Sequence, residues 1–241
     1  MTTPTLTLLN FPSMPGFYDF SPYCVKAELL LKMAELPYTT EQPENFMDLP
    51  KGKLPILKHD DTLLPDSEFI RLYIAENHSK TLDDGLSDED KAIGHAVCRM
   101  LDERTMLALV HARWLIDEPW AMTKQLFFAD APNDVAESAR VEVKNGLYGH
   151  GFGRHSLAEI QQLVASDIAT LSTLLGEAPF FLNKTPTYLD ATVFGMLVNF
   201  YRSPIPTWLS GEVAKHKNLV AYVERGVARW YPEAHMPAFA A

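Results

Sequence analysis

The sequence predicts an α/β unit followed by an all-helical unit, and three observations carry that reading. Up to Glu76, short β-rich runs and helical stripes follow the order strand, helix, strand, hairpin, helix. A polar stretch from His78 to Asp88, with Lys80, Asp83, Asp84 and Gly85, then reads as a linker. Beyond it every periodic segment has helical spacing, and two capping boxes mark helix starts. The domains are accordingly drawn at residues 1–80 and 88–241.

Thr5 to Leu9 is short and apolar, the profile of a buried strand, and Asn10 to Tyr18, with Pro12, Pro15 and Gly16, is a loop. Ser21-Pro22 opens a helix: Ser is a strong N-cap and Pro is favoured at the first helical position. Ala27, Leu30, Leu31 and Ala34 form its buried stripe, Glu28, Lys32 and Glu35 its wet one, and Pro37 ends it. Tyr38 to Glu41 is a second strand, parallel to the first by the right-handed crossover rule. Ile56 to His59 and Thr62 to Leu64, separated by Asp60-Asp61, form a hairpin. Asp66-Ser67 precedes a helix over Glu68 to Glu76 with Phe69, Leu72 and Tyr73 on one side.

In the second unit a long helix runs from Ser87 to Trp114, with Ile93, Val97, Met100, Leu101 and Ala108 near helical spacing. Trp120 to Phe128 is short and aromatic, and Asn133 to Leu147 is a polar helix. Gly149 to Arg154 is a glycine turn; no strand precedes it, as a dinucleotide loop would need. Ser156-Leu157-Ala158-Glu159 caps a helix that carries its stripe to Gly176. Thr187-Tyr188-Leu189-Asp190 caps an almost wholly apolar one, which makes Asp190 structural, and Pro204 and Pro206 stop it. Leu219 to Trp230 is the last helix.

At 241 residues and 47% hydrophobic, the chain can bury a sizeable core. A net charge of -10 and a pI near 5.2, without clustered Lys and Arg, argue against a nucleic-acid surface. Cys24 and Cys98 are too few for a disulfide framework, no signal-peptide pattern is present, and the expected location is the cytoplasm. No apolar run approaches the roughly 20 residues of a membrane span, so no membrane partner is expected. Eight histidines lie scattered, none paired at zinc-ligand spacing, and no metal is expected.

This order of elements, with Leu54-Pro55 before the hairpin and an acid-Ser pair after it, resembles a glutathione transferase over the whole chain. The resemblance implies a thioredoxin-like N-terminal domain followed by an all-helical glutathione-transferase C-terminal domain. Ser21 to Tyr38 lines up with the first helix of serine-type transferases, whose nucleophile-activating Ser stands where Ser21 stands. Lys53-Leu54-Pro55 looks like the cis-proline segment that meets the cysteinyl part of glutathione, and Asp66-Ser67 like the pair that holds its γ-glutamyl end. Three longer runs are similar to the failed axon connections family, relatives of the metaxins: Ser21 to Lys26, Tyr148 to Ser156, and Leu189 to Gly195.

What the resemblance implies is a glutathione transferase, with glutathione as co-substrate, a small hydrophobic electrophile as partner and a homodimer as assembly. A free thiol of pKa about 8.5 is mostly protonated at neutral pH, and a helix N-terminus with a hydroxyl donor stabilises its thiolate. Ser21 is therefore the catalytic candidate, while Lys53, Leu54, Pro55, Asp66 and Ser67 are the glutathione-binding ones. Asp66 would take the γ-glutamyl ammonium, and the N–H groups after Ser67 its carboxylate. The second-substrate pocket is expected between the units, with Tyr18, Arg104, His111 and Trp114 as candidates. Arg154-His155 suits an anion, a cap or an interdomain contact.

Two other readings stand beside this one. Ser-Pro-Tyr-Cys also resembles the glutaredoxin Cys-Pro-Tyr-Cys motif with its first cysteine replaced, which makes Cys24 an alternative nucleophile for a thiol reductase or lyase. Its place three residues into the helix instead suits a buried small residue. A non-catalytic adaptor like the metaxins is the rival from another class, and the lack of a C-terminal anchor argues against a membrane-bound form.

Overall fold

The computed structural model describes residues 6–11 and 18–234. Thr5, His235 and the Pro12, Pro15 and Gly16 of the predicted loop lie outside them. The first unit comprises β1 (Leu6–Leu9), α1 (Pro22–Met33), β2 (Tyr38–Glu41), β3 (Ile56–His59), β4 (Thr62–Pro65) and α2 (Ser67–His78). The sheet has the order β2-β1-β3-β4, with β1 and β2 parallel as the crossover rule requires, and β3 and β4 an antiparallel hairpin. Asp60, at φ 52°, makes the hairpin's turn. β1 sits mid-sheet with Leu6, Leu8 and Leu9 buried, the setting of a central strand with covered faces.

From Asp88 on the chain is helical: α3 (Asp88–Met100), a π-helical turn (Leu101–Thr105), α4 (Met106–Leu115), α5 (Asp117–Phe127), α6 (Asn133–His150), α7 (Leu157–Leu175), α8 (Tyr188–Tyr201), α9 (Trp208–Ala214) and α10 (Lys217–Trp230). The helix expected from Ser87 to Trp114 runs continuously from Asp88 to Leu115 and widens locally at the π turn, where the Thr105 hydroxyl donates to Met100 O (3.2 Å) and to the Asp167 carboxylate (2.8 Å). α6 runs to His150, past the predicted end. Gly151, at φ 101°, then turns the chain, and a Cβ on Gly153 would lie 2.8 Å from Leu147 C. α9 was not foreseen, because seven residues after two prolines carry too little periodicity to register.

α8 is the centre of the molecule, buried from Tyr188 to Phe200. Its cap holds as the box predicts: Asp190 accepts the Thr187 N–H at 2.8 Å, and also the Phe181 N–H and the Tyr222 hydroxyl. Against α1 its backbone comes so close that a Cβ on Gly195 would stand 2.5 Å from Pro22 O. This contact explains a difference from the two-stripe reading of α1. Lys26 and Leu29, outside the predicted stripe, are buried too, because α8 packs against one side of α1 and α2 against another.

Candidate functional site

Ser21 caps α1 with extended backbone, φ -92° and ψ 119°, and its Oγ accepts the Cys24 N–H at 3.4 Å. That bond uses a lone pair of the Ser21 oxygen, and the hydroxyl proton faces the Cys24 thiol, to which the Ser21 side chain is also hydrogen-bonded. Pro22 has no N–H, so the Tyr23 N–H is the first-turn donor without an intrahelical partner. The residues before the cap are pinned by the helical unit: Arg113 of α4 donates to Phe20 O at 2.6 Å, and Asn199 of α8 to Asp19 O at 3.3 Å. Arg113 is itself buried and also donates to Asn199 and Ser203; burial lowers its guanidinium to about 10.

Three contacts gather the predicted glutathione-binding segments at this helix end. Leu54 packs in one apolar cluster with Cys24, Leu9 and Ile56, beside the first turn of α1. The Leu54–Pro55 bond is cis, and Pro55 O accepts the Asp66 N–H at 3.2 Å, which ties the proline to the cap of α2. Lys26 then joins α1 to α2 through Glu68 at 3.1 Å. Asp66 caps α2 by accepting the Glu68 N–H at 2.9 Å, stays exposed, and faces Lys51 at 3.7 Å; Ser67 is buried and Lys53 exposed.

Lys26 has an exposure of 1% and is satisfied by Glu68 and by Asp102 of the π turn at 3.6 Å. A buried ammonium requires such partners. Burial alone would raise the Glu68 carboxyl, but the Arg71 hydrogen bond and the charges of Lys26 and Arg71 outweigh it and lower it to about 2. The π turn also aims the Asp102 carbonyl at the Tyr23 hydroxyl, 3.0 Å away. These residues, Lys26, Glu68 and Asp102, were not foreseen, since a lysine inside a helical stripe reads as solvated.

Asp19 was also missed. It is 3% exposed, and its two carboxylate oxygens accept the N–H groups of Ser21 (2.7 Å) and Phe11 (2.9 Å). Burial pushes this carboxyl up to about 7, against the pull of those two bonds and of a third from the Cys24 side chain. Cys24, with 1% of its surface exposed, lies beside it, and burial followed by the charge of Asp19 holds its thiol well above the usual range. A thiol so placed is not a thiolate at neutral pH.

Of the four second-substrate candidates, three engage neighbours of their own and His111 shows no side-chain hydrogen bond among the described residues. Tyr18 is buried, with its hydroxyl donating to Val198 O (3.3 Å) and Arg202 O (3.0 Å). Arg104 pairs with Asp167 of α7. Trp114 stacks on Trp120 with ring centroids 5.3 Å apart. His111 is partly buried, which lowers its pKa, and its Nδ1 is buried with no partner among the described residues. Arg154 donates to Tyr148 O at the end of α6, a capping role. A cavity of about 590 Å³ lies beside Lys32, Thr185 and Trp230, at the opposite end of α1 from Ser21.

A four-stranded mixed sheet with a cis-proline before its hairpin, joined to a helical unit that pins a capped α1, defines a thioredoxin-like domain with a glutathione-transferase-type helical partner. Comparison with known proteins agrees. Residues 22–119 match the family described as Glutathione S-transferase N-terminal domain, and residues 164–226 match Glutathione S-transferase, C-terminal domain. The isoprene-epoxide–glutathione S-transferase of Rhodococcus sp. (strain AD45) is 30% identical over 232 residues, covering 91% of this chain and 97% of that protein. Human Metaxin-2 is 30% identical, covering 82% and 78%. Failed axon connections of Drosophila melanogaster is 26% identical over 94% of this chain, which spans 58% of the fly protein's length. Among solved structures, glutathione S-transferase III in its apo form superposes with a TM-score of 0.62 at 18% identity, covering 98% of this chain and 99% of that one; this likeness shows the fold alone. The chain belongs to the glutathione S-transferase family, with the metaxin-like relatives that its motifs resemble.

Proposed function

We propose that this protein binds glutathione at the N-terminal end of α1 and conjugates it to a hydrophobic electrophile, with Ser21 stabilising the thiolate. The observation that carries the reading is the Ser21 cap. Its oxygen already accepts a backbone N–H, so its proton can turn from the Cys24 thiol to a bound sulfur, at the positive end of a helix held by both units. The cis-proline segment, Lys53 to Pro55, offers backbone groups to the cysteinyl part. Asp66 takes the γ-glutamyl ammonium, and the N-terminus of α2, from Ser67 on, its carboxylate. The bound thiol loses its proton to solvent, the thiolate attacks the electrophile's carbon, and the S–C bond forms as the leaving group departs or the epoxide opens. Similarity to an enzyme named for glutathione transfer to an isoprene epoxide supports this class of substrate. Tyr18, Arg104, His111 and Trp114 remain the proposed source of the second-substrate pocket, and a cytoplasmic homodimer the proposed form.

The burial of Cys24 argues against a reductase or lyase that uses it as nucleophile. The adaptor reading keeps one specific support, the similarity to Metaxin-2 and Failed axon connections. Incubating purified protein with glutathione and 1-chloro-2,4-dinitrobenzene separates the two. Conjugation lost in Ser21→Ala is the expected result; protein that neither retains glutathione nor conjugates it is an adaptor on this fold.

A further inference from the structure

We propose that Asp19 is a positioning residue that acts by charge: its buried carboxylate and a thiol held at Ser21 titrate as a coupled pair, so Asp19 sets the pH at which the bound thiol ionises. The inference rests on the glutathione reading above and assigns a role to a group that reading does not use.

The geometry leaves Asp19 nowhere to go. Its side chain is tied to Ser21 N on one oxygen and Phe11 N on the other, and its own carbonyl is held by Asn199 of α8. The charged and titratable groups around it are Cys24 and Glu28 on α1, Arg113 on α4 and Tyr231 after α10. Arg113 spends its hydrogen bonds on Phe20, Asn199 and Ser203 and is not bonded to the carboxylate. With Asp19 bonded to the N–H of Ser21, a sulfur at the Ser21 hydroxyl would sit about one residue's width from a buried negative charge. Like charges that close disfavour each other. As the thiol releases its proton to solvent, Asp19 therefore binds one from solvent, and the two groups exchange occupancy over the same pH range. The burial that holds this carboxyl near 7 places its titration where a helix-stabilised thiol also ionises.

The test is the pH profile of kcat/KM for conjugation of 1-chloro-2,4-dinitrobenzene by wild type and Asp19→Asn. Removing the charge should move the acid limb down by about one pH unit. A purely structural Asp19 would lower the rate at every pH and leave the limb in place, which overturns the inference while sparing the glutathione reading. Should Asp19→Asn fail to fold by circular dichroism, the wild type still decides. Calorimetry of glutathione binding at pH 7 in two buffers of different ionisation enthalpy gives the net protons released, and thiolate absorbance near 240 nm gives the thiolate formed. Fewer protons than thiolate is the expected result; equality refutes the coupling. Wild-type protein that neither binds nor conjugates glutathione removes the reading and this inference together.

Discussion

A hydroxyl at a helix N-cap ordinarily does one thing, accepting an N–H from the first turn, and Ser21 does this with Cys24. Its second role depends on the remaining proton. A hydrogen bond to a charged partner is worth about 1.5–3 kcal/mol, so Ser21→Ala should lower kcat/KM at pH 7 about ten- to a hundredfold. Loss of the cap should also cost about 1 kcal/mol of stability in urea unfolding. Cys24→Ala should leave conjugation within about threefold of wild type, since a buried protonated thiol contributes packing and a bond to Asp19 but is not the attacking sulfur. Activity abolished in Cys24→Ala and intact in Ser21→Ala would reverse the assignment. Ser21 was legible because Ser-Pro at a helix start is a local signal. Asp19 was not: an acid between Tyr18 and Phe20 belongs to no periodic pattern, and its burial comes from α4 and α8, which lie far along the chain.

At the scale of elements, the seat of α1 on α8 decides where the Ser21 cap points. Because the obstacle to a Cβ at Gly195 is the backbone oxygen of Pro22 and not a flexible side chain, Gly195→Ala should destabilise the protein by about 1–3 kcal/mol. It should also raise KM for glutathione by displacing the cap. Unchanged urea midpoint and KM would mean that the two helices part at no cost. The strands and most helices were readable because caps, prolines and periodicity are local. What escaped was set by tertiary contacts: the π turn that answers to Asp167 on α7, the second buried face of α1, and the short α9.

For the molecule as a whole, buried carboxylates shape the pH response. Burial raises Asp19 to about 7 and Asp190 to about 6, so between roughly pH 4 and these values the folded protein keeps protons that the unfolded chain has released. Their contribution to stability is fully present below pH 4 and is lost as pH rises through 6 and 7. Glu68 acts oppositely: with its pKa lowered to about 2, its contribution is present above 4.5 and lost as pH falls through 2. Urea midpoints from pH 4.5 to 7.5 should decline for the wild type and decline less for Asp190→Asn; parallel curves would refute the assignment. The site itself is a property of the whole chain. Its three segments, around Ser21, Pro55 and Asp66, were nameable from sequence, but the lysine that bridges α1 to α2 emerges only once the first unit folds, and the arginine that pins Phe20 only once both units are packed. The most direct test of the central claim is the ultraviolet thiolate absorbance of glutathione bound to wild type and to Ser21→Ala, titrated from pH 5 to 9. A bound-thiol pKa well below about 8.5 is expected in the wild type, with a return toward that value in the variant; superimposable titrations, or no thiolate signal in the wild type, would rule out the role given to Ser21.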